Sequence, residues 1–241
     1  MPKSRKRPTQ KSRPTAAKTA IDDKDGATLA PMYDSLYRKH ARNPVATPGI
    51  TGFGEEFLKP KSSILDLGSG VANALTLARL GHKVTAYDLS PVAVRQLNQA
   101  AEIEGLDLRA EVYDICRGIH GSYDMVLMLA VLHHLLPDEA ARVISQAKLA
   151  TKPGGFHYLR VLDKSTGFWH ISEWQKRFFT EDTDALRAFY SDWSEIMTLV
   201  DRQPSEERNP VMNSYVVMVT RRPQHITIHR GKYQGASPTT F

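Results

Sequence analysis

The residues that could do chemistry fall in two short stretches. Ser63-Ile64-Leu65-Asp66-Leu67-Gly68-Ser69-Gly70 runs from apolar residues into an acid and two glycines. Lys83-Val84-Thr85-Ala86-Tyr87-Asp88 ends in a second acid. That acid follows the turn by about twenty residues, the separation at which a carboxylate meets the two ribose hydroxyls of a bound nucleotide. Together the stretches point to a nucleoside-containing cofactor. Taken alone, the glycine turn is also compatible with an ordinary strand-to-helix loop.

The elements that must position these groups can be read from the same residues. Ser63–Leu67 is short and apolar, as a buried strand is. Gly68 and Gly70 let the backbone take positive φ and approach a ligand closely. Val71 to Leu80 then reads as a helix, whose first N–H groups lack partners and carry the positive end of the dipole. Lys83–Asp88 is the next strand.

The glycine spacing selects among nucleotides. A dinucleotide turn wants a glycine or alanine three residues after Gly70, and Asn73 stands there, against a nicotinamide dehydrogenase. What stands instead is Asp66-x-Gly68-x-Gly70-x-Ala72. This resembles the nucleotide-binding motif of class I S-adenosylmethionine-dependent methyltransferases, with Ala72 at the usual third glycine. The resemblance covers about residues 31–220. Within the class the chain is most similar to the tellurite-resistance methyltransferases. The residues are Asp66-Leu67-Gly68-Ser69-Gly70 with Asn73, the Lys152-Pro153-Gly154-Gly155 turn, and Phe178-Phe179 leading to Tyr190 and Trp193.

The resemblance implies an α/β fold: one Rossmann-like, doubly wound, mostly parallel seven-stranded sheet with an antiparallel C-terminal strand. It implies S-adenosyl-L-methionine as cofactor, held by Tyr37, Asp66, Gly68, Ser69, Gly70, Asp88, Leu89, Asp114, Ile115 and Leu129. Asp66 would face the methionine amino group. Asp114 and Ile115 would sit near adenine, although Asp114 also reads as a turn residue after a strand. Tyr33 and Tyr37, four apart in a helix opening at Pro31, would fold over the cofactor or simply pack.

The rest of the chain supports that order. Gly49 to Gly54 reads as a flexible loop, and Phe57-Leu58 as the end of a short helix before Pro60. Ser90-Pro91 opens a helix as N-cap and first residue, running to Gly105. Leu106–Tyr113 alternates as a strand. Tyr123–Leu129 is continuously apolar, as buried parallel strands are. Glu139–Thr151 reads as a helix, Lys152–Gly155 as a turn, and Phe156–Leu162 as a strand. Residues 163–180, with Phe168, Trp169, His170 and Trp174, read as an aromatic insertion. Ala185–Tyr190 is a helix, and Trp193–Val200 with Val211–Thr220 a closing hairpin.

Ala130-Val131-Leu132-His133-His134-Leu135-Leu136-Pro137-Asp138 follows the fourth strand, where open α/β sheets bind ligands. The resemblance places such a run in small-molecule methyltransferases. The Asn/Asp-Pro-Pro-Tyr/Phe motif of DNA amino-methyltransferases is absent. His133 or His134 could serve as a base for an oxygen or nitrogen nucleophile. On a helix the two point about 100° apart, so one at most faces a site. Arg160, with His170 and Arg177, could hold an anion. Arg160 lies late in a buried strand, where a cation needs a partner or a ligand.

Composition bounds the remainder. The chain has 241 residues, 41% hydrophobic, enough for one domain with tails. Residues 27–222 would form it, with a disordered basic tail at 1–26 and a C-terminal tail at 223–241. Residues 1–18 carry seven bases and no acid; without them 25 bases face 26 acids. The net charge of +6 is thus a property of the tail. It predicts weak nucleic-acid contact through residues 1–20, or none beyond solvation. On this alternative the chain is a methyltransferase or binding module acting on nucleic acid or protein. Cys116 is the single cysteine, so no intrachain disulfide forms, which suits a reducing cytoplasm. No run of about 18 apolar residues exists, and no metal-ligand spacing is present. The expected partner is a small-molecule methyl acceptor, with a chalcogen oxyanion and a thiol as candidates; no membrane partner is expected.

Overall fold

The structure is a computed structural model and describes residues 29–40, 45–166, 176–178, 180, 183–204 and 212–224. The tails at 1–26 and 225–241, and Phe168, Trp169, His170 and Trp174 of the aromatic insertion, lie outside the described residues.

The elements run α1 (Leu29–His40), α2 (Ile50–Phe57), β1 (Ser63–Leu67), α3 (Asn73–Arg79), β2 (Lys83–Asp88), α4 (Pro91–Glu104), β3 (Leu108–Val112), β4 (Tyr123–Leu129), α5 (Pro137–Ala150), β5 (Thr151–Leu162), α6 (Thr183–Ala188), β6 (Ser194–Pro204) and β7 (Met212–Arg221). Single 3-10 turns occupy Ile115–Arg117 and Leu132–His134.

Seven strands form one sheet in the order β3-β2-β1-β4-β5-β7-β6. β3, β2, β1, β4 and β5 are parallel neighbours, and β7 inserts antiparallel between β5 and β6. This is the sheet expected from the sequence. The chain steps outward from β1 through β2 to β3, then returns to β4 beside β1. The crevice beyond the carboxyl ends of β1 and β4 is the switch point where such sheets take ligands.

Alternation along the strands divides the core into two layers. Ile64, Val84, Ala86, Met125 and Leu127 face α2, α3 and α4 through Phe53, Leu77 and Leu97. Leu65, Leu67, Val126, Met128 and Leu159 face α5 through Val143, Ile144 and Ala147, with Leu186 of α6 alongside.

Local signals explain the helix ends nearest the site. The Ser90 side chain accepts the Ala93 N–H, Pro91 follows it, and Gly105 closes α4 in the left-handed region. The Glu139 carboxylate accepts the Leu136 N–H at 2.8 Å at the start of α5.

Two local expectations are corrected. Gly49–Gly54 is not a loop: Gly49, at φ 83°, starts α2, which contains Gly52 and Gly54. Gly54 is where α2 meets α3, since a Cβ there would lie 3.0 Å from Leu80 and 3.1 Å from Leu77. The helix tolerates the glycine because close packing requires it. Likewise, Lys152–Gly155 is not a turn ahead of its strand. β5 begins at Thr151, opposite Tyr123, and the pairing shifts so that Phe156 meets Met125. The two glycines lie in that irregularity, with a Cβ on Gly155 only 2.8 Å from the Asp124 carbonyl.

Candidate active site

The β1–α3 turn is tied to the end of β2. Gly68 and Ser69 N–H donate to the Tyr87 carbonyl at 2.8 and 3.0 Å. The Gly70 N–H donates to Asp88 Oδ2 at 2.8 Å, and the Ser90 N–H to Asp88 Oδ1 at 2.8 Å. Gly68 and Gly70 have φ of 65° and 55°, the left-handed region that glycine enters without strain. A Cβ on Gly68 would meet Val131 Cγ2 at 2.4 Å. One on Gly70 would meet the Tyr37 hydroxyl at 3.1 Å. Asn73 holds the segment ahead of α2 against the turn, because its side chain accepts the Thr47 N–H at 2.8 Å.

Two carboxylates back this turn. Asp66 is 1% exposed, and its Oδ2 has no hydrogen-bond partner among the described residues. Burial, with the Asp88 charge added, pushes its pKa up to about 8. Asp88 is 7% exposed. Burial raises its pKa as well, opposed by the N–H bonds from Ser90 and Gly70.

A cavity opens beyond the turn. Tyr33, Tyr37, Gly68, Tyr87, Asp88 and Leu89 line one part of it; Tyr113, Asp114, Ile115, Ala130, Val131, His134 and Leu135 line the rest. Of the expected cofactor residues, Tyr37, Gly68, Asp88, Leu89, Asp114 and Ile115 therefore share one wall system. Asp66, Ser69 and Gly70 lie behind or within the turn rather than on the wall. Ser69 Oγ donates to the Gly70 carbonyl at 3.3 Å. Leu129 is a core residue. Asp114 also has the turn role: it accepts the Cys116 N–H at 2.9 Å and caps the 3-10 turn.

The histidines divide as adjacent residues must. His134 lines the cavity, while His133 is buried toward Tyr215, with ring centroids 6.4 Å apart. Burial holds the His133 pKa well below its ordinary value and pushes His134 down to about 4. Arg160 does not line the cavity. Its guanidinium lies 3.5 Å from the Tyr215 ring centre, and Nη2 meets Asp201 Oδ2 at 3.2 Å. The need of a buried cation for a partner is thus met within the protein. Arg177 Nη1 donates to the His134 carbonyl at 3.0 Å.

Ala130, Val131 and Leu135 belong to the run after β4 that the sequence placed at the ligand crevice, whereas Tyr87 and Tyr113 were not expected there. Tyr87 and Tyr113 pack with ring centroids 4.6 Å apart and planes tilted by 35°. The signal that could have found them is a repeated Tyr-Asp pair, Tyr87-Asp88 and Tyr113-Asp114, at consecutive strand ends. Ala130 has φ of 58°, a strain of about 1 kcal/mol for a non-glycine residue, with no sequence signal.

Helix α1 is latched over this cavity from both sides, and the Gln96 side chain donates to its Tyr37 carbonyl at 3.4 Å. Asp34 accepts the Ser90 hydroxyl, and the Val92 N–H at 3.3 Å. Tyr33 reaches His134. No described helix is long and apolar enough to cross a membrane, and no cluster of three or more potential metal ligands occurs among the described residues. Residues 1–20, where nucleic-acid contact was expected, lie outside the described residues.

Comparison with known proteins agrees with the geometry. The family described as "Tellurite resistance protein TehB" matches residues 53–201. "Hemagglutinin 1" of Eikenella corrodens is 31% identical over 167 residues, covering 66% of this chain and 54% of that protein. The "Probable S-adenosyl-L-methionine-dependent methyltransferase TehB" of Haemophilus influenzae is 30% identical over 132 residues, 54% of this chain and 45% of that protein. The chain thus spans about half the length of these curated relatives. The crystal structure of TehB from Haemophilus influenzae superposes with a TM-score of 0.66 at 22% identity, covering 79% of this chain and 67% of that one. That last likeness is one of fold. Since the family match spans residues 53–201, more than half the sequence, this chain belongs to the TehB tellurite resistance protein family.

Proposed function

We propose that this chain is an S-adenosylmethionine-dependent methyltransferase acting on a small molecule. The observation that carries the reading is the buried Asp66 Oδ2, without a partner among the described residues, behind a glycine turn tied to Asp88. A buried carboxylate lacking a donor is costly unless a ligand supplies one. A ligand with an ammonium group, vicinal hydroxyls and a purine fits these residues. Asp88 would meet the ribose, and Tyr87, Tyr113 and Ile115 the ring; Asp66, not itself on the wall but close enough behind it to act on Tyr37, would be the counter-charge of the ammonium. Tyr37, over Gly70, would exclude water from the methionine end. The relative described as a probable S-adenosyl-L-methionine-dependent methyltransferase supports the same cofactor.

When bound, that cofactor supplies a methyl group on a positively charged sulfur. The chain's own contribution is alignment and exclusion of water. A chalcogen oxyanion acceptor, the class named in the family description, or a thiol would need only that. The test is a labelled-methyl screen over thiols, selenite, tellurite, phenols and small acids, run with an Asp88→Ala control. Transfer to at least one small molecule, lost in the control, is the expected result. Transfer to RNA or protein alone would overturn the reading.

A further inference from the structure

Cofactor binding leaves two titratable side chains of the cavity wall without a role, Tyr33 on α1 and His134. The Tyr33 hydroxyl lies 2.5 Å from His134 Nε2 and 3.5 Å from Nδ1. The rings meet edge to face with centroids 5.3 Å apart. The imidazole also bonds the backbone of Ala130, the residue held at φ 58°. Because a backbone carbonyl accepts only, we assign the ring proton to that side, which leaves Nε2 to present its lone pair to Tyr33. Tyr33 is then the donor to His134, and its own oxygen is left able to accept a proton from a ligand. A proton path of this kind is idle for a thiolate or a chalcogen lone pair, which attack without losing a proton.

We propose that Tyr33 is a catalytic residue that takes the proton of a hydroxyl acceptor and passes its own to His134. The proposal rests on the methyltransferase reading above. As the acceptor oxygen bonds to the methyl carbon, the carbon–sulfur bond breaks and its electron pair stays on sulfur. The acceptor proton moves to Tyr33 Oη, and the Tyr33 proton moves to His134 Nε2. The positive charge lost at sulfur reappears on the imidazolium, so the net charge of the pocket is unchanged. Among the described residues Asp88, Tyr37 and Tyr215 are titratable groups facing Tyr33, and Arg177, His133 and Tyr33 itself face His134. Burial keeps the phenol protonated and the imidazole neutral near pH 7 before reaction.

The test compares Tyr33→Phe and His134→Gln with wild type, at saturating S-adenosylmethionine, on catechols and phenols and on an aromatic thiol ionised at the working pH. On the hydroxyl acceptors kcat should fall about 100-fold in both variants. Their rates should then rise with pH as the acceptor ionises by itself. On the thiol any turnover should stay within about threefold, because no proton moves. The nitrogen-15 spectrum of His134, taken without acceptor, should show Nε2 unprotonated in wild type and shifted in Tyr33→Phe. Three results would overturn the proposal: equal loss on both acceptor types, a protonated Nε2 in wild type, or no hydroxyl methylation by a wild type that binds the cofactor. Failure to bind the cofactor at all would instead remove the methyltransferase reading itself.

Discussion

The Asp88 carboxylate accepts the Gly70 N–H at 2.8 Å, across 18 residues of sequence. Its other oxygen accepts the Ser90 N–H at the start of α4, and the Ser90 hydroxyl donates to Asp34 on α1. One side chain thus fixes the turn that approaches the ligand, the helix that follows the acid and, through Ser90, the helix that covers the cavity.

Asp88→Asn should therefore do more than remove a charge. A carboxamide has one accepting oxygen, so its NH2 must face either the Gly70 or the Ser90 N–H. One buried donor is left unsatisfied, at about 1–3 kcal/mol. Cofactor affinity should fall at least about tenfold for the same reason. Chemical denaturation and calorimetry measure the two effects; an Asn variant matching wild type in both would contradict the assignment.

Gly68→Ala should be severely destabilising, by about 2–3 kcal/mol, because the new methyl meets Val131 Cγ2 at 2.4 Å and the backbone is left-handed. Val131→Ala in the same chain should recover only part of this, since it removes the 2.4 Å contact but leaves the Val131 Cβ at 2.8 Å and the φ strain in place. Gly81→Ala, at φ 85° with open space around it, should suffer the strain alone. Urea melts of the four chains separate the contributions.

Asp66 predicts a pH signature. Its folded pKa is raised to about 8 from the ordinary aspartate value of 3.8. Below about pH 4 the carboxyl is protonated in both states. Between about 4 and 8 the unfolded chain loses the proton and the folded chain keeps it, so stability drops across that window and levels off above it. The stability advantage of Asp66→Asn over wild type should grow over the same interval. A difference independent of pH would place the carboxyl elsewhere.

Arg160 and Asp201 should behave as a structural pair. Their side chains are only 13% and 27% exposed, so removing one partner takes a close counter-charge from the other where water compensates poorly. Arg160→Met and Asp201→Asn should each cost about 2 kcal/mol, and the double variant less than the sum. Strict additivity would show that the contact contributes nothing.

The sheet was legible because its strands are short, mostly apolar runs, Ser63–Leu67, Lys83–Asp88 and Tyr123–Leu129, the first two carrying an acid at or next to their carboxyl ends. The glycine turn was legible because only glycine enters φ near 60° without strain. Gly54 was misread because its signal is identical to that of a loop glycine; only the approach of Leu77 and Leu80 distinguishes them. Arg160 was rightly singled out as needing a partner, but that partner, Asp201, stands 41 residues away. His133 and His134 were separable in principle and not in identity, since which ring faces the cavity depends on the phase of a single 3-10 turn. Tyr33 was read as a cover for the cofactor or a packing residue, whereas its contact with His134 spans 101 residues and has no local pattern.

The most direct test is calorimetric titration of the wild-type chain with S-adenosylmethionine, near pH 7, in two buffers of different ionisation enthalpy. The predicted result is saturable binding at a single site that releases close to one proton, as the arriving ammonium draws Asp66 into its ionised form. Absence of binding heat in both buffers would contradict the account, whatever the fold.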